Sequence, residues 1–239
     1  MSAEQELVER ALAYPYAVPS GSFLLVDGKV RDARGLEPSG THTLDRTPLL
    51  AYGSNASPEV LARKLGGSTR EKPVLALRAT LTDFDIVYSA HISRYGSIPA
   101  ALKRSSGTKV AVFVLYLTEK QLALISATEP NYERVMLSDV SCKLEGGETL
   151  TELAAYLSRH GCLLADGSEI ALTAVEARNR TFPAMSQREV LEHVRDILRP
   201  GESLDRFMLN WISGPLAPGV PNKISAKLRG PRTKQVRDS

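Results

Sequence analysis

Leu49-Leu50-Ala51-Tyr52-Gly53-Ser54-Asn55-Ala56-Ser57-Pro58-Glu59 is the stretch whose reading decides the fold. Its first part is a short apolar strand ending at Tyr52. A glycine and two small polar residues follow, and a helix starts at Ser57-Pro58. Ser57 can cap that helix, and proline suits a first turn where no backbone donor is needed. Gly66 stops it. Glycine lets backbone approach a ligand closely, and free N–H groups in such a turn, with a helix start nearby, suit a carboxylate. Ser54 and Asn55 add side-chain donors. An ordinary strand-to-helix turn with a local Asn hydrogen bond reads from the same residues.

Toward the N-terminus, Leu7, Val8, Ala11 and Leu12 recur at helical spacing and predict a short opening helix. Phe23 to Val26, Asp27-Gly28 and Lys29-Val30 predict a hairpin with a type I′ turn. Arg31 to Thr47 reads as a loop. Toward the C-terminus, Val74 to Leu81, Phe84 to Tyr88, Val110 to Leu117 and Tyr132 to Val140 read as strands, with Leu150 to Leu157 as a return strand. Thr118-Glu119-Lys120-Gln121 and Ser186-Gln187-Arg188-Glu189 are capping boxes that open helices. Glu169 to Asn179 has helical character, and Ser203 to Ile212 suits a last helix. Strands at the centre and helices after them predict an α+β fold, not a doubly wound sheet. The expected divisions are 1–47 (helix, hairpin and loop), 48–160 (core), 161–221 (helical region) and 222–239 (basic, flexible tail).

Composition excludes several classes. The 239 residues are 43% hydrophobic and 24% charged, ordinary for a globular chain long enough to bury its own core. A formal charge of +3 argues for no nucleic-acid partner by itself. The basic run of Lys223, Lys227, Arg229, Arg232, Lys234 and Arg237 reads as a solvated tail, with phosphate attraction as the alternative. Cys142 and Cys162 make neither a disulfide framework nor a zinc cage. His42, His91, His160 and His193 have no metal-ligand spacing, so no metal and no cofactor is expected. No phosphate loop or dinucleotide glycine pattern occurs, and Gly53-Ser54-Asn55 lacks the spacing of a nucleophile elbow. Glu4, Glu6 and Glu9, with no apolar run after a basic start, predict no secretory signal, and no stretch is apolar enough for a bilayer. The expectation is a soluble, cytoplasmic protein whose oligomeric state stays open, a dimer among the options.

Tyr52-Gly53-Ser54-Asn55, at a strand end before a capped helix, resembles the YGSN signature of γ-glutamylcyclotransferases. Ile98-Pro99-Ala100-Ala101-Leu102 resembles that family's Pro-Ala-Thr-Leu-like segment, with Ala101 in place of Thr. Glu129, followed by Tyr132-Glu133-Arg134-Val135, is similar to the family's acid and the strand after it. The likeness runs from about Pro48 to Tyr156. It departs after the acid, where Pro130-Asn131 makes a short loop.

The resemblance implies a small mixed β-barrel with flanking helices. It implies a transferase- or lyase-type amide cleavage in which a γ-glutamyl α-amine attacks its own γ-carbonyl. 5-Oxoproline forms and an amine leaves. Glu129 would be the general acid/base, moving a proton from the attacking amine to the leaving one. Burial moves a carboxyl toward the working pH of such a shuttle. Gly53, Ser54 and Asn55 would hold the α-carboxylate of a small γ-glutamyl amine or peptide. Tyr52 and Tyr132 would wall the pocket, or else are ordinary half-buried strand tyrosines. The alternative is a catalytically silent relative that binds a small acidic ligand or a protein partner.

Overall fold

The computed structural model describes residues 2–35, 43–213 and 227–228. Helix α1 (Ala3–Leu12) is opened by a Ser2–Gln5 capping box. Strands β1 (Phe23–Val26) and β2 (Lys29–Asp32) form the expected hairpin, with Asp27 and Gly28 at φ 48° and 72°. Both central residues of a type I′ turn need that left-handed conformation, which an Asp-Gly pair adopts readily. The reading of 31–47 as loop holds only in part. Strand β2 runs through Asp32, β3 (Thr47–Ala51) begins at Thr47, and residues 36–42, His42 among them, lie outside the described ones.

A 3₁₀ turn over Ser54–Ala56 leads into α2 (Pro58–Leu65), and α3 (Ser68–Glu71) follows. Ser57 occupies the N-cap position but makes no side-chain cap. Its Oγ is buried without a partner among the described residues, because the preceding turn directs the side chain inward.

Strands β4 (Val74–Tyr88) and β5 (Ala100–Leu117) are the long antiparallel ribbon at the centre. The two separate strands expected at 74–81 and 84–88 are one strand. A bulge at Asp83, with φ 64°, shifts the register between Thr82 and Phe84 and lets pairing resume beyond it. Helix α4 (Glu119–Ser126) carries the expected Thr118–Gln121 capping box. Then come β6 (Tyr132–Leu137), β7 (Ser141–Leu144), β8 (Thr149–Leu150) and β9 (Leu153–Ser158).

The segment after Gly161 is not helical at first. Short strands β10 (Leu164–Ala165), β11 (Ser168–Glu169), β12 (Ala171–Leu172), β13 (Ala177–Arg178) and β14 (Ala184–Met185) precede α5 (Gln187–Leu198) and α6 (Leu204–Ser213). The helical pattern at 169–179 gives way because β12 pairs with the far end of β4 and β13 with β5. Ladder partners outweigh a weak local preference.

The fold is α+β. The main sheet runs β14-β12-β4-β5-β3-β9-β6, with β3 and β9 parallel. Among the described residues no ladder closes it into a complete barrel. Among those residues strand β6 pairs only with β9, while β12 pairs with the end of β4 and β13 with the middle of β5.

Both faces of the sheet are covered, which explains the unbroken apolar run at 110–117. Leu49, Ala51, Phe113 and Leu115 face Leu61 and Leu65 of α2 and Leu122 and Ile125 of α4. Leu50, Tyr52, Val112 and Val114 belong to the larger cluster, with Val8 of α1, Val190 of α5 and Phe207, Met208 and Trp211 of α6. Phe207 and Met208 are fully buried, each contributing about 1.5–3 kcal/mol by burial. The chain on both sides of the matched core therefore packs onto that core. Of the basic tail only Lys227 and Leu228 are described, and Leu228 is buried in the larger cluster. No helix among the described residues is long and apolar enough to cross a membrane.

Candidate functional site

Glu129 sits in the turn between α4 and β6, with both backbone groups engaged. Its N–H donates to Ser126 O (3.1 Å) and its carbonyl accepts from Tyr132 N–H (3.0 Å). That turn is short because Tyr132 starts the next strand. Helices α2 and α4 pack together on one face of the sheet. This packing carries Glu129 to Asn55, at the head of α2, from 74 positions away.

Asn55 Nδ2 donates to Glu129 Oε1 at 3.0 Å. Lys64 Nζ donates to the same oxygen at 2.7 Å and to Asn55 Oδ1 at 2.8 Å. The three side chains form a closed triangle in which the ion pair is largely shielded: Lys64 and Glu129 keep 14% and 13% exposure. Glu129 Oε2 has no partner among the described residues, and Glu129 lines a cavity of about 740 Å³.

The other residues expected at a site lie on the same cavity: Tyr52, Gly53, Ser54 and Tyr132. Tyr52 O–H donates to the Tyr156 carbonyl, and Tyr132 O–H donates to Ala100 O at 2.8 Å. Burial, reinforced by the neighbouring tyrosines and Glu129, pushes both phenols well above their usual range, so both are neutral. Tyr52 is buried outright, while Tyr132 is a half-buried residue at the start of β6 that donates its hydroxyl to Ala100 O.

Several lining residues carry no sequence signal. Lys64 reads as a basic residue in a last helical turn, where the helix dipole favours it. Tyr14 reads as a helix terminator, yet it is buried beside Gly53 and its Oη accepts from Ala100 N–H at 2.8 Å. Burial pushes the Tyr14 phenol above its usual range, and the Ala100 and Ser54 backbone groups oppose that shift. Arg63 of α2, Arg94 of the 89–99 loop and Trp211 of α6 complete the wall, with Trp211 Nε1–H donating to Ser93 O (3.1 Å). Arg63, Lys64 and Arg94 against Glu129 make the lining cationic.

Two histidines that are isolated in sequence meet here. The His91 and His160 rings lie 4.3 Å apart, with His91 Nδ1 2.7 Å from Ser89 Oγ and His160 Nε2 3.0 Å from Asn131 Oδ1. Burial, then the neighbouring His160, pulls His91 down to about 3, so it is a neutral ring in the cavity wall. Cys162 is pushed up to about 11 by burial and is a thiol at neutral pH. Among the described residues no cluster of three or more His, Cys, Asp or Glu suits a metal ion.

Gly53 has a steric reason to be glycine. A Cβ there would stand 2.6 Å from Tyr14 Oη and 3.3 Å from Ala100 Cβ. Gly53→Ala is expected to displace the buried Tyr14 side chain and to cost about 1–3 kcal/mol, as overpacking does, read by urea denaturation. An unchanged midpoint would mean that Tyr14 moves freely.

No protein-family model matches the chain, and no curated protein does. Among solved structures the chain is similar in fold to a γ-glutamyl cyclotransferase, at 18% identity, over 47% of this chain and 66% of that one, with a TM-score of 0.38. It is also similar to an Arabidopsis thaliana protein solved in solution, at 22% identity, over 51% of this chain and 74% of that one, with a TM-score of 0.40. An uncharacterized protein from Homo sapiens is similar at 15% identity, over 77% of this chain and 98% of that one, with a TM-score of 0.38.

Proposed function

We propose that this chain is a γ-glutamylcyclotransferase-like enzyme that cyclises a γ-glutamyl amine or peptide to 5-oxoproline, with Glu129 as its proton carrier. The observation that carries this reading is the division of labour within one carboxylate. Oε1 is anchored by Asn55 and Lys64, while Oε2 has no partner among the described residues and Glu129 lines the cavity.

An anchored oxygen fixes the orientation of its twin, and orientation supplies much of the rate in an intramolecular reaction. The substrate's α-ammonium docks on Oε2 and loses its first proton through it to solvent. The freed amine attacks the γ-carbonyl, its second proton passes to Oε2, and Glu129 gives that proton to the departing amine, leaving one hydrogen on the ring nitrogen. The cationic lining from Arg63, Lys64 and Arg94 favours a substrate that carries carboxylates. The α-carboxylate is assigned to the turn at Gly53, Ser54 and Asn55, with the Lys64 ammonium beside it.

Lys64 also favours a second reading. An ammonium of the chain already sits on Glu129, as an enzyme's substrate amine would. A catalytically silent relative that binds a small acidic ligand through the same cations fits that contact.

Incubation with a panel of γ-glutamyl dipeptides and γ-glutamylamines, followed by detection of 5-oxoproline, separates the two. Release supports the enzyme. Silence across the panel together with saturable binding of a γ-glutamyl compound supports the silent relative.

A further inference from the structure

Tyr14, Tyr52 and Tyr132 line the same cavity as Glu129, and they use their hydroxyls differently. Tyr52 and Tyr132 each donate to a backbone carbonyl, of Tyr156 and Ala100 respectively. Tyr14 does the reverse. Its oxygen accepts from Ala100 N–H at 2.8 Å. Its hydrogen has no acceptor among the described residues.

The residue is 8% exposed, lines the cavity, and places its oxygen 2.6 Å from where a Cβ on Gly53 would be. Burial first, then the nearby Glu129, pushes this phenol above its usual range, so it is a neutral donor and not a base. A hydroxyl that accepts from an N–H group is polarised into a stronger donor.

We propose that Tyr14 is a further catalytic residue, whose O–H donates to the oxygen of the γ-carbonyl as negative charge develops there. This assignment rests on the cyclisation reading above. In the step it serves, the lone pair of the α-amine nitrogen forms a bond to the γ-carbon, and the carbonyl π pair moves onto the oxygen facing Tyr14. The amine's surplus proton goes to Glu129 Oε2. On collapse the C=O re-forms and the bond to the leaving nitrogen breaks. That nitrogen takes the proton from Glu129, giving 5-oxoproline and the free amine. Tyr14 gives up no proton overall; it holds charge that exists only between the two halves of the step.

Donors of this kind act on kcat, because they bind the transition state better than the substrate. Tyr14→Phe keeps the ring and its packing. On the best substrate of the panel it is expected to lower kcat by about 10²-fold, the lower end for loss of one oxyanion donor, while KM stays within about threefold. Glu129→Gln is measured beside it, and melting curves report whether each variant folds. If Tyr14→Phe does not fold, 3,5-difluorotyrosine at position 14 keeps the shape and the hydroxyl but makes it more acidic. The alkaline limb of kcat is then expected to move to lower pH.

An undiminished kcat in folded Tyr14→Phe, or an unmoved pH profile in the fluorinated protein, overturns the role of Tyr14. If Glu129→Gln is inactive in the same experiment, the cyclisation reading survives. A wild type that releases no 5-oxoproline overturns both.

Discussion

Glu129→Gln is expected to lower 5-oxoproline release by about 10²–10⁴-fold, the range for loss of a positioned general acid/base. The amide is nearly isosteric, and its oxygen can still accept from Asn55 Nδ2 and Lys64 Nζ, the two anchors at 3.0 and 2.7 Å. What it loses is the ability to carry a proton on the cavity side. The loss should fall on kcat, with a smaller rise in KM from the missing charge opposite the substrate ammonium. The uncharged amide would leave the shielded Lys64 without its counter-charge, so a melting curve must accompany the rates. A folded Glu129→Gln protein with kcat within a few-fold of wild type would remove this residue from the chemistry.

The largest stability effect is expected at Asp85, which is not among the residues lining the cavity. This carboxylate on β4 is fully buried and takes two hydrogen bonds from one guanidinium, Arg180 Nε to Oδ2 (2.8 Å) and Nη2 to Oδ1 (3.0 Å). Arg180 also donates to Val175 O at 3.0 Å, so it ties the segment between β13 and β14 to the central ribbon. Asp85→Ala leaves a guanidinium of 16% exposure facing a void. Breaking a buried pair from one side costs about 3–5 kcal/mol. Urea denaturation should show that loss. The double variant Asp85→Leu with Arg180→Met should regain much of it, since apolar replacement of both partners is often neutral. A loss below about 1 kcal/mol in Asp85→Ala would mean that water reaches the pair and stands in for the missing carboxylate.

Neither partner of that pair is visible in sequence. Asp85 lies inside an apolar strand pattern, and Arg180 lies in a loop 95 positions later. The hairpin at Asp27-Gly28 is the opposite case. There the conformation follows from the two residues themselves, and pairing of Val26 with Lys29 follows from the turn. The capping boxes at Thr118 and Ser186 belong with the hairpin, because each is closed by hydrogen bonds within three residues. Where local preference was weak, tertiary partners decided. The helical pattern at 169–179 became strands beside β4 and β5, and one bulge at Asp83 joined two expected strands into one.

The candidate cavity divides along the same line. The turn at Tyr52 to Asn55 and the acid at Glu129 can be picked out in sequence, since each follows a well-marked element and resembles a known signature. Lys64, Tyr14 and His91, which packs on His160, cannot, because each is placed only by a contact that crosses the fold. By itself the sequence determined the α+β class, the turns and the helix starts, which short-range sterics and hydrogen bonding set, and it marked the two ends of the candidate site through their resemblance to a known signature. Only the tertiary structure decided that the sheet stays unclosed among the described residues, that Lys64 sits on Glu129, and that an N-terminal tyrosine reaches the turn at Gly53. Those outcomes depend on which surfaces bury one another, and burial is a property of the whole packed chain.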